Sequence, residues 1–229
     1  MLLEEKKVGE FVTEDYRNAH LFSKHGIDFC CGGKKTLREA CDNANIDTQV
    51  IISELQNIAA NGERDVLIES LSLSGLIDYI VSVHHTYTRS KGDLLLLYSS
   101  KMVKAHGERH PEVIPLHKLI QALTDELVLH LLKEERVLFP AIISLENGTP
   151  LNFPKEQLVH PILGMEAEHE DVGKMIQELK SMTNNFIPPE YACTTWKICY
   201  ATLAEYVADL QTHIHLENNV LFPRVTRMI

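Results

Sequence analysis

The chain has 229 residues, of which 45% are hydrophobic and 24% charged, and its formal net charge is −10 at pH 7. This length fits one large or two smaller domains of ordinary globular composition. The sequence has no basic patch of the kind that nucleic-acid binding needs, so we do not expect a nucleic-acid partner. It also has no apolar run long enough for a membrane span or a signal peptide, so we do not expect a membrane partner. Five cysteines, an odd number with two adjacent, argue against a disulfide framework and favour the cytoplasm.

The first 62 residues predict a small helical domain. The segment EFVTEDYRNAHLFSKHG, residues 10–26, has a helical pattern that ends at a glycine, and the paired glycines of IDFCCGG predict a loop. Two further helices follow, with Thr36 and Asp47 as the expected N-caps. The polar stretch NGERD, residues 61–65, predicts a linker, so we expect one domain over 1–62 and a second over 70–229.

Cys30 and Cys31 lie next to each other in the predicted loop. A free cysteine is often only a small buried hydrophobe, but two in a row before Gly-Gly fit that interpretation poorly. Thiolates at this position could bind iron or nitric oxide, or exchange disulfides, so we expect a functional role for both. The other cysteines, Cys41, Cys193 and Cys199, lie on helical segments and are expected to be structural.

Four long helical segments follow the linker. They are expected at about 72–105, about 112–145, from near Pro161 to about 183, and about 189–219. Short connections between long amphipathic helices predict an antiparallel four-helix bundle. Because no strand pattern is present, the expected fold class is all-α, with a small N-terminal helical domain followed by this bundle.

One pattern occurs twice in the predicted bundle. HLLKEERVLFP, residues 130–140, returns 83 positions later as HIHLENNVLFP, residues 213–223, with six of eleven residues identical. Residues four apart share a helix face, so the His and the Glu of each copy point together. The apolar residues that follow place each pair inward, where it suits a metal better than a surface contact. The Phe-Pro that closes each copy is expected to end its helix. The two pairs are His130 with Glu134 and His213 with Glu217.

The other two long helices offer further ligands. Helix one carries the adjacent His84 and His85, of which only one is expected to point inward, and periodicity does not decide between them. Helix three carries His169. The predicted constellation, with His84 competing for the first place, is His85, His130, Glu134, His169, His213 and Glu217.

Six ligands are too many for one zinc ion, but they divide well between two metals. Each metal would take two histidines, and Glu134 and Glu217 would bridge them. Nitrogen and oxygen donors with open positions suit iron or manganese. Glu126, one turn before the first repeat, and Glu168, beside the ligand of helix three, could hydrogen bond the metal ligands or relay protons, or could simply be solvated.

The remaining histidines of the bundle are not expected to bind metal. His215 is expected at the surface and His160 in a turn. His106, His110 and His117, which lie near the first helix–helix connection, are expected to be solvated.

Several stretches resemble one known family, the repair-of-iron-centres or iron–sulfur cluster repair di-iron proteins. FSKHGIDFCCGGKKTLREAC resembles its amino-terminal Cys-Cys-Gly-Gly domain, and MEAEHEDVG, TNNFIPPEYACTTWK and HIHLENNVLFP resemble its carboxy-terminal signatures. The likeness covers nearly the whole chain. It implies a hemerythrin-like bundle, and it favours His85 over His84 because the family's ligand is the second residue of that pair. It also carries over the other five ligands and associates Glu126 and Glu168 with a path to the site.

The resemblance implies a cytoplasmic, homodimeric stress protein that holds two non-haem iron ions per chain, bridged by carboxylate and by an oxo or hydroxo group. Manganese or zinc would be substitutes. Its expected function is to repair iron–sulfur clusters damaged by nitrosative or oxidative stress, by donating iron to damaged proteins or to a cluster assembly scaffold. Two alternatives stay open: an enzyme that reduces nitric oxide, and a hemerythrin-type module that binds or senses oxygen or nitric oxide. No signalling domain is visible, which counts against a sensor.

Overall fold

The computed structural model describes residues 2–60 and 67–229, and its regular secondary structure is helical throughout those ranges. The one bridge of β type outside a strand pairs Lys7 with Thr36 in the described part of the chain. Among the described residues, no helix is both long and apolar enough to cross a membrane. The linker predicted at 61–65 lies outside the described residues.

The chain divides into two compact units. The first combines the described part of Met1–Asp78 with Ile142–Ile162 and Gln211–Ile229, and the second comprises Tyr79–Ala141 and Leu163–Leu210. The N-terminal segment therefore shares a unit with the end of the chain. The division at residues 62 to 70 stays a prediction.

Four helices form the N-terminal segment: α1 (Val8–Glu14), α2 (Asn18–Lys24), α3 (Leu37–Ala44) and α4 (Thr48–Ala60). The single helix expected over 10–26 is wrong. Asp15 is extended, with φ −151°, and its carboxylate accepts a hydrogen bond from the Arg17 amide at 3.1 Å and pairs with the guanidinium at 2.7 Å. This local side-chain bonding competes with the helix and ends α1. Thr36 caps α3 as predicted, with a reciprocal capping box.

The rest of the described chain follows the four predicted long helices, but each except the third is interrupted. Three π-helical segments, Ile80–His85, Glu134–Leu138 and Leu216–Leu221, are called here the first, second and third π segments. The fourth long helix begins at Thr194 rather than near 189. The helices are α5 (Leu67–Ser70), α6 (Leu73–Tyr79), α7 (Thr86–His106), α8 (Val113–Lys133), α9 (Phe139–Glu146), α10 (Val159–Met182), α11 (Thr194–His215) and α12 (Phe222–Thr226).

The prediction that Phe-Pro ends each helix is wrong. Phe139 and Phe222 both keep right-handed helical angles, and the helix resumes as α9 and α12. In each copy a π segment has just ended, so the proline is the second residue of a new helix, where the amide has no intrahelical partner. A proline is tolerated there because no hydrogen bond is lost.

The second unit places α7 and α8 side by side. His85 lies opposite Glu135 at one end, and Ser99 hydrogen bonds His117 near the other at 2.8 Å. Early residues of one helix thus meet late residues of the next, which is antiparallel packing, as predicted. Apolar side chains between these contacts, including Leu95, Leu123 and Leu127, are buried.

Candidate metal centre

Four of the predicted ligands form one buried cluster in the second unit. Both oxygens of Glu134 face imidazoles, with Oε2 3.5 Å from His85 Nε2 and Oε1 3.3 Å from His130 Nε2. His169 Nε2 lies 3.0 Å from His130 Nε2. All four side chains are at most 1% exposed. Imidazole nitrogens and a carboxylate that converge in a dry interior are a donor set that fits a transition-metal ion.

The outer nitrogen of His85 is held by a residue that the sequence reasoning missed. His85 Nδ1 donates to Glu135 Oε1 at 2.7 Å, and Arg89 donates to the same oxygen at 2.8 Å. Partial burial raises the pKa of Glu135, but the hydrogen bonds from His85 and Arg89 outweigh it and hold that pKa below its usual value. Because an ionised carboxylate only accepts, Nδ1 of His85 carries a proton, and Nε2 is the nitrogen that faces Glu134.

The same arrangement holds His130. Its Nδ1 donates to Glu168 Oε2 at 2.8 Å, and Lys133 donates to the other oxygen at 2.5 Å. Partial burial raises the pKa of Glu168, and the hydrogen bonds from Lys133 and His130 lower it by more, so the carboxylate stays ionised near neutral pH. Glu168 therefore contacts a predicted ligand, whereas Glu126 is exposed on α8.

The other predicted pair lies in the first unit. His213 Nε2 is 3.0 Å from Glu217 Oε1, and both side chains are at most 1% exposed. The four-residue spacing thus brings these two side chains together, as it does His130 and Glu134 in the first copy.

Every π segment carries one of these residues. His85 ends the first segment, Glu134 begins the second, and Glu217 lies within the third. A π turn inserts one residue into the helical spacing, and such turns are frequent at functional sites. The widened turn rotates neighbouring side chains into positions that ordinary helical periodicity does not allow.

This geometry corrects the expectation that only one of His84 and His85 points inward. Both are buried, but they have different partners. His84 Nδ1 contacts Asp209 Oδ1 at 2.9 Å, in the second unit, and so lies apart from the carboxylate Glu134 that faces His85. Burial alone therefore does not distinguish the two histidines, and their hydrogen-bond partners do.

The expectation that His215 is at the surface is wrong. Its side chain is 1% exposed, its ring packs 5.8 Å from that of Phe29, and its nitrogens lie 3.5 Å from Thr13 Oγ1 and 3.2 Å from Asn219 Nδ2. Burial lowers the pKa of His215 to about 4, although a hydrogen bond with the Phe29 backbone opposes the shift. The N-terminal segment covers the end of α11 at this point, which the sequence of the repeat alone does not reveal.

The remaining histidines are partly as predicted. His160 is exposed, but it lies in α10, so the expectation that it is in a turn is wrong. His106 and His110 are only half-exposed: His106 Nε2 lies 3.0 Å from Cys193 Sγ, and His110 stacks on Tyr191 at 4.6 Å. The expectation that these two are simply solvated is therefore wrong, since aromatic and sulfur contacts occupy them.

The adjacent cysteines lie in a tight loop of the first unit. Asp28 Oδ1 accepts hydrogen bonds from the amides of Cys30 and Cys31, each at 3.0 Å, and from the Cys30 thiol at 3.2 Å. The two sulfurs are 3.8 Å apart, and neither is in a disulfide. The Cys31 thiol and burial raise the pKa of Cys30 well above its usual value, so this sulfur is a thiol near neutral pH rather than a thiolate.

Comparison with known proteins gives matches over nearly the whole chain. Residues 4–59 match the family described as a domain of unknown function (DUF542), and residues 76–225 match the hemerythrin HHE cation binding domain. The chain is 37% identical over 211 residues, 92% of each protein, to the iron–sulfur cluster repair protein YtfE of Yersinia pestis (strain Pestoides F). It is 38% identical over 207 residues, 90% of each protein, to the protein of that name from Yersinia pseudotuberculosis serotype IB (strain PB1/+). All six predicted ligands fall within the hemerythrin match.

Proposed function

The chain belongs to the family of iron–sulfur cluster repair proteins and carries its hemerythrin HHE cation binding domain, and from this premise we propose that it holds two iron ions and restores damaged clusters. The family and the all-α fold class predicted from the sequence are both confirmed. The observation that carries the proposal is the pair of histidines, His85 and His130, whose Nε2 atoms face Glu134 while carboxylates hold their Nδ1 atoms.

The proposed ligands are the six buried residues named from the sequence. Two histidines would hold each iron, and Glu134 and Glu217 could serve both ions because each has two oxygens. Nitrogen and oxygen donors of this kind suit iron, and they leave coordination positions open. The ligands are His85, His130, Glu134, His169, His213 and Glu217.

Bound iron supplies the ion that a damaged cluster has lost. The chain's own residues control how firmly that ion is held. Glu135 and Glu168 fix the orientation and tautomer of two ligands, and their negative charge makes the facing nitrogens better donors. Having only two histidines for each metal limits the affinity, which suits an ion that must be released.

The proposed partners are damaged iron–sulfur proteins or a cluster assembly scaffold, with nitric oxide or oxygen as small ligands at the metal. We assign Cys30 and Cys31 a thiol role in the exchange with these partners. Five cysteines outside disulfides support a cytoplasmic location, since thiols stay reduced there. Family resemblance supports a homodimer and a role in nitrosative and oxidative stress.

The test compares repair with the alternative activities. The iron-loaded chain is incubated anaerobically with a cluster enzyme inactivated by nitric oxide, and recovered activity is measured. In parallel, the chain alone is given nitric oxide and a reductant, and nitrous oxide is measured. Donation predicts recovery with loss of iron from the chain, and reduction predicts nitrous oxide without that loss.

The matched controls are His85→Ala, which removes a proposed ligand, and Glu126→Gln, which changes an exposed carboxylate on α8. His85→Ala should lose repair, and Glu126→Gln should keep it. Full repair by the His85→Ala chain, or recovery with no movement of iron, would rule out donation from this site.

A further inference from the structure

We propose that Asp28, Cys30 and Cys31 form a second metal site, which takes one divalent transition-metal ion of the iron, cobalt or zinc class. Each residue offers one ligand atom, and these atoms lie within 4.8 Å of one another. Two sulfurs and one oxygen are a mixed donor set that such ions accept. The site contains no histidine, so it is chemically distinct from the imidazole and carboxylate centre described above.

The spacing of the donor atoms fits a tetrahedral ion. Metal–sulfur bonds of about 2.3 Å at a tetrahedral angle require two sulfurs about 3.8 Å apart. Cys30 Sγ and Cys31 Sγ are 3.8 Å apart. A disulfide would need the same atoms at about 2.05 Å. The two thiols, which are in hydrogen-bond contact, thus already have the spacing that a shared tetrahedral ion needs, whereas a disulfide would require them to move.

Hydrogen bonds between backbone amides and the Asp28 side chain hold the loop in this shape. The Asp28 carboxylate ties down two consecutive amides through Oδ1, which aims both cysteines at the same carboxylate. Gly32 makes this possible, because a Cβ there would lie 2.8 Å from the Asp28 carbonyl oxygen and 3.2 Å from Oδ2. The paired arrangement therefore exists before any metal binds, which lowers the cost of assembling the site.

The loop is also fastened to the third π segment, in the same unit. Asn219 Nδ2 donates to the carbonyls of Phe29 at 3.3 Å and Cys30 at 3.1 Å. A Cβ on Gly9 would lie 2.7 Å from Asn219 Oδ1, and a Cβ on Gly33 would lie 2.5 Å from it, so both glycines make room for this side chain. Asn219 follows the proposed iron ligand Glu217 by two residues, and the dithiol loop is thereby anchored to the segment that carries that ligand.

The site offers three protein ligands and keeps one side accessible. Cys30 is buried, while Asp28 and Cys31 are half-exposed. Three ligands with an open fourth position are typical of zinc-class sites that exchange ligands, whereas closed structural sites use four. Binding replaces the two thiol protons, which pass to water, and involves no change of oxidation state. This further assignment rests on the proposed repair function: the site is the place from which a metal ion passes to a damaged iron–sulfur protein.

The test is an anaerobic titration of the full-length, iron-loaded chain with Co²⁺ alone. A thiolate-to-cobalt charge-transfer band in the near ultraviolet should appear and saturate at about one ion per chain. Imidazole and carboxylate ligands give no such band, so the signal reports the sulfur site alone. Cys30→Ser/Cys31→Ser should abolish the band. Asp28→Asn keeps an oxygen for the loop amides but removes the charge, and should weaken Co²⁺ binding by at least roughly 10-fold.

The matched control is Cys193→Ser, which removes a half-buried thiol of the other unit and should leave the band unchanged. No band, a band lost with Cys193→Ser, or a band insensitive to Asp28→Asn would overturn the site. If the band is absent and repair persists, the site fails and the repair function stands. If the band forms and the wild-type chain repairs nothing, the repair function fails and the site stands. Undiminished repair by Asp28→Asn would overturn the role of this site in passing the ion to a damaged protein.

Discussion

The two carboxylates that hold the outer nitrogens of His85 and His130 give the sharpest quantitative prediction. Replacing Glu135 or Glu168 with Gln keeps an oxygen that accepts from the imidazole but removes the negative charge. Loss of such an outer partner typically costs 10-fold to 100-fold in metal affinity, or about 1.4 to 2.7 kcal/mol. Because Gln preserves the hydrogen bond, we expect each variant near the lower end, at about 10-fold.

The same substitutions should change protein stability little. The cationic partners, Arg89 and Lys133, are 41% and 48% exposed, so their ion pairs with Glu135 and Glu168 are screened by solvent. If a variant loses iron affinity but keeps its stability, the cause is therefore the changed support of the histidine ligand and not partial unfolding. Fe²⁺ affinity is measured anaerobically by competition with a chromophoric chelator, and stability by urea unfolding of the metal-free chain.

Glu126→Gln is the control, because Glu126 is on α8 but exposed. It should keep the wild-type affinity within about twofold, since surface changes of this kind have small effects. If Glu135→Gln and Glu168→Gln also stay within that range, the carboxylates do not tune the ligands. A loss of affinity with Glu126→Gln instead would show that Glu135 and Glu168 are not the carboxylates that support the ligands.

Three further outcomes are expected. His85→Ala should lose iron. His84→Ala should keep iron but lower the free energy of unfolding by about 1–3 kcal/mol, because a buried hydrogen bond is lost. The reverse pattern in metal analysis and urea unfolding would show that the wrong histidine had been chosen as the ligand. Gly33→Ala should lower stability by roughly 1–3 kcal/mol, because the new Cβ would lie 2.6 Å from a backbone oxygen. Gly164 lies inside α10 with open space around it, so Gly164→Ala should raise stability by up to about 1 kcal/mol. Equal melting temperatures for the two variants would contradict this. Glu146 accepts from two backbone amides at the start of α6; burial raises its pKa, and these bonds lower it by more, to below its usual value of 4.5. Its stabilisation is therefore present above that pH and lost as pH falls through the lowered pKa, so Glu146→Gln should flatten the acid limb of a stability–pH curve.

The repeated motif explains why the two buried His and Glu pairs could be predicted from the sequence. In each copy the His and the Glu stand four residues apart. The His is near the end of an α-helix and the Glu is near the start of the following π segment, so the two side chains still lie on the same face. The carboxylate Glu135 could not be predicted, since helical periodicity turns the residue after a ligand away from it. Only the wider π turn lets Glu134 and Glu135 contact the same imidazole ring from its two nitrogens.

The errors at Pro140 and Pro223 have the same origin. Proline is expected to stop a helix because it removes an amide donor. After a π segment the hydrogen-bonding register has already shifted, so the missing donor falls where no partner is needed. The sequence carries a signal for this, since Pro occurs at the same place in both copies directly after an apolar run. Only the fourth predicted helix, which was expected to end at about 219, proved too short, since α12 continues to Thr226.

The two copies of the motif differ in how far the rest of the described chain covers them. Val137 of the first copy is 63% exposed, while its equivalent in the second copy, Val220, is 6% exposed. The first copy has Arg136 where the second has Asn219, whose amide binds the carbonyls of the dithiol loop. Both copies thus keep a buried His and Glu, whereas only the second copy has the asparagine that holds the dithiol loop. That asymmetry ties the cysteine loop to the second copy of the motif, which lies in the same unit.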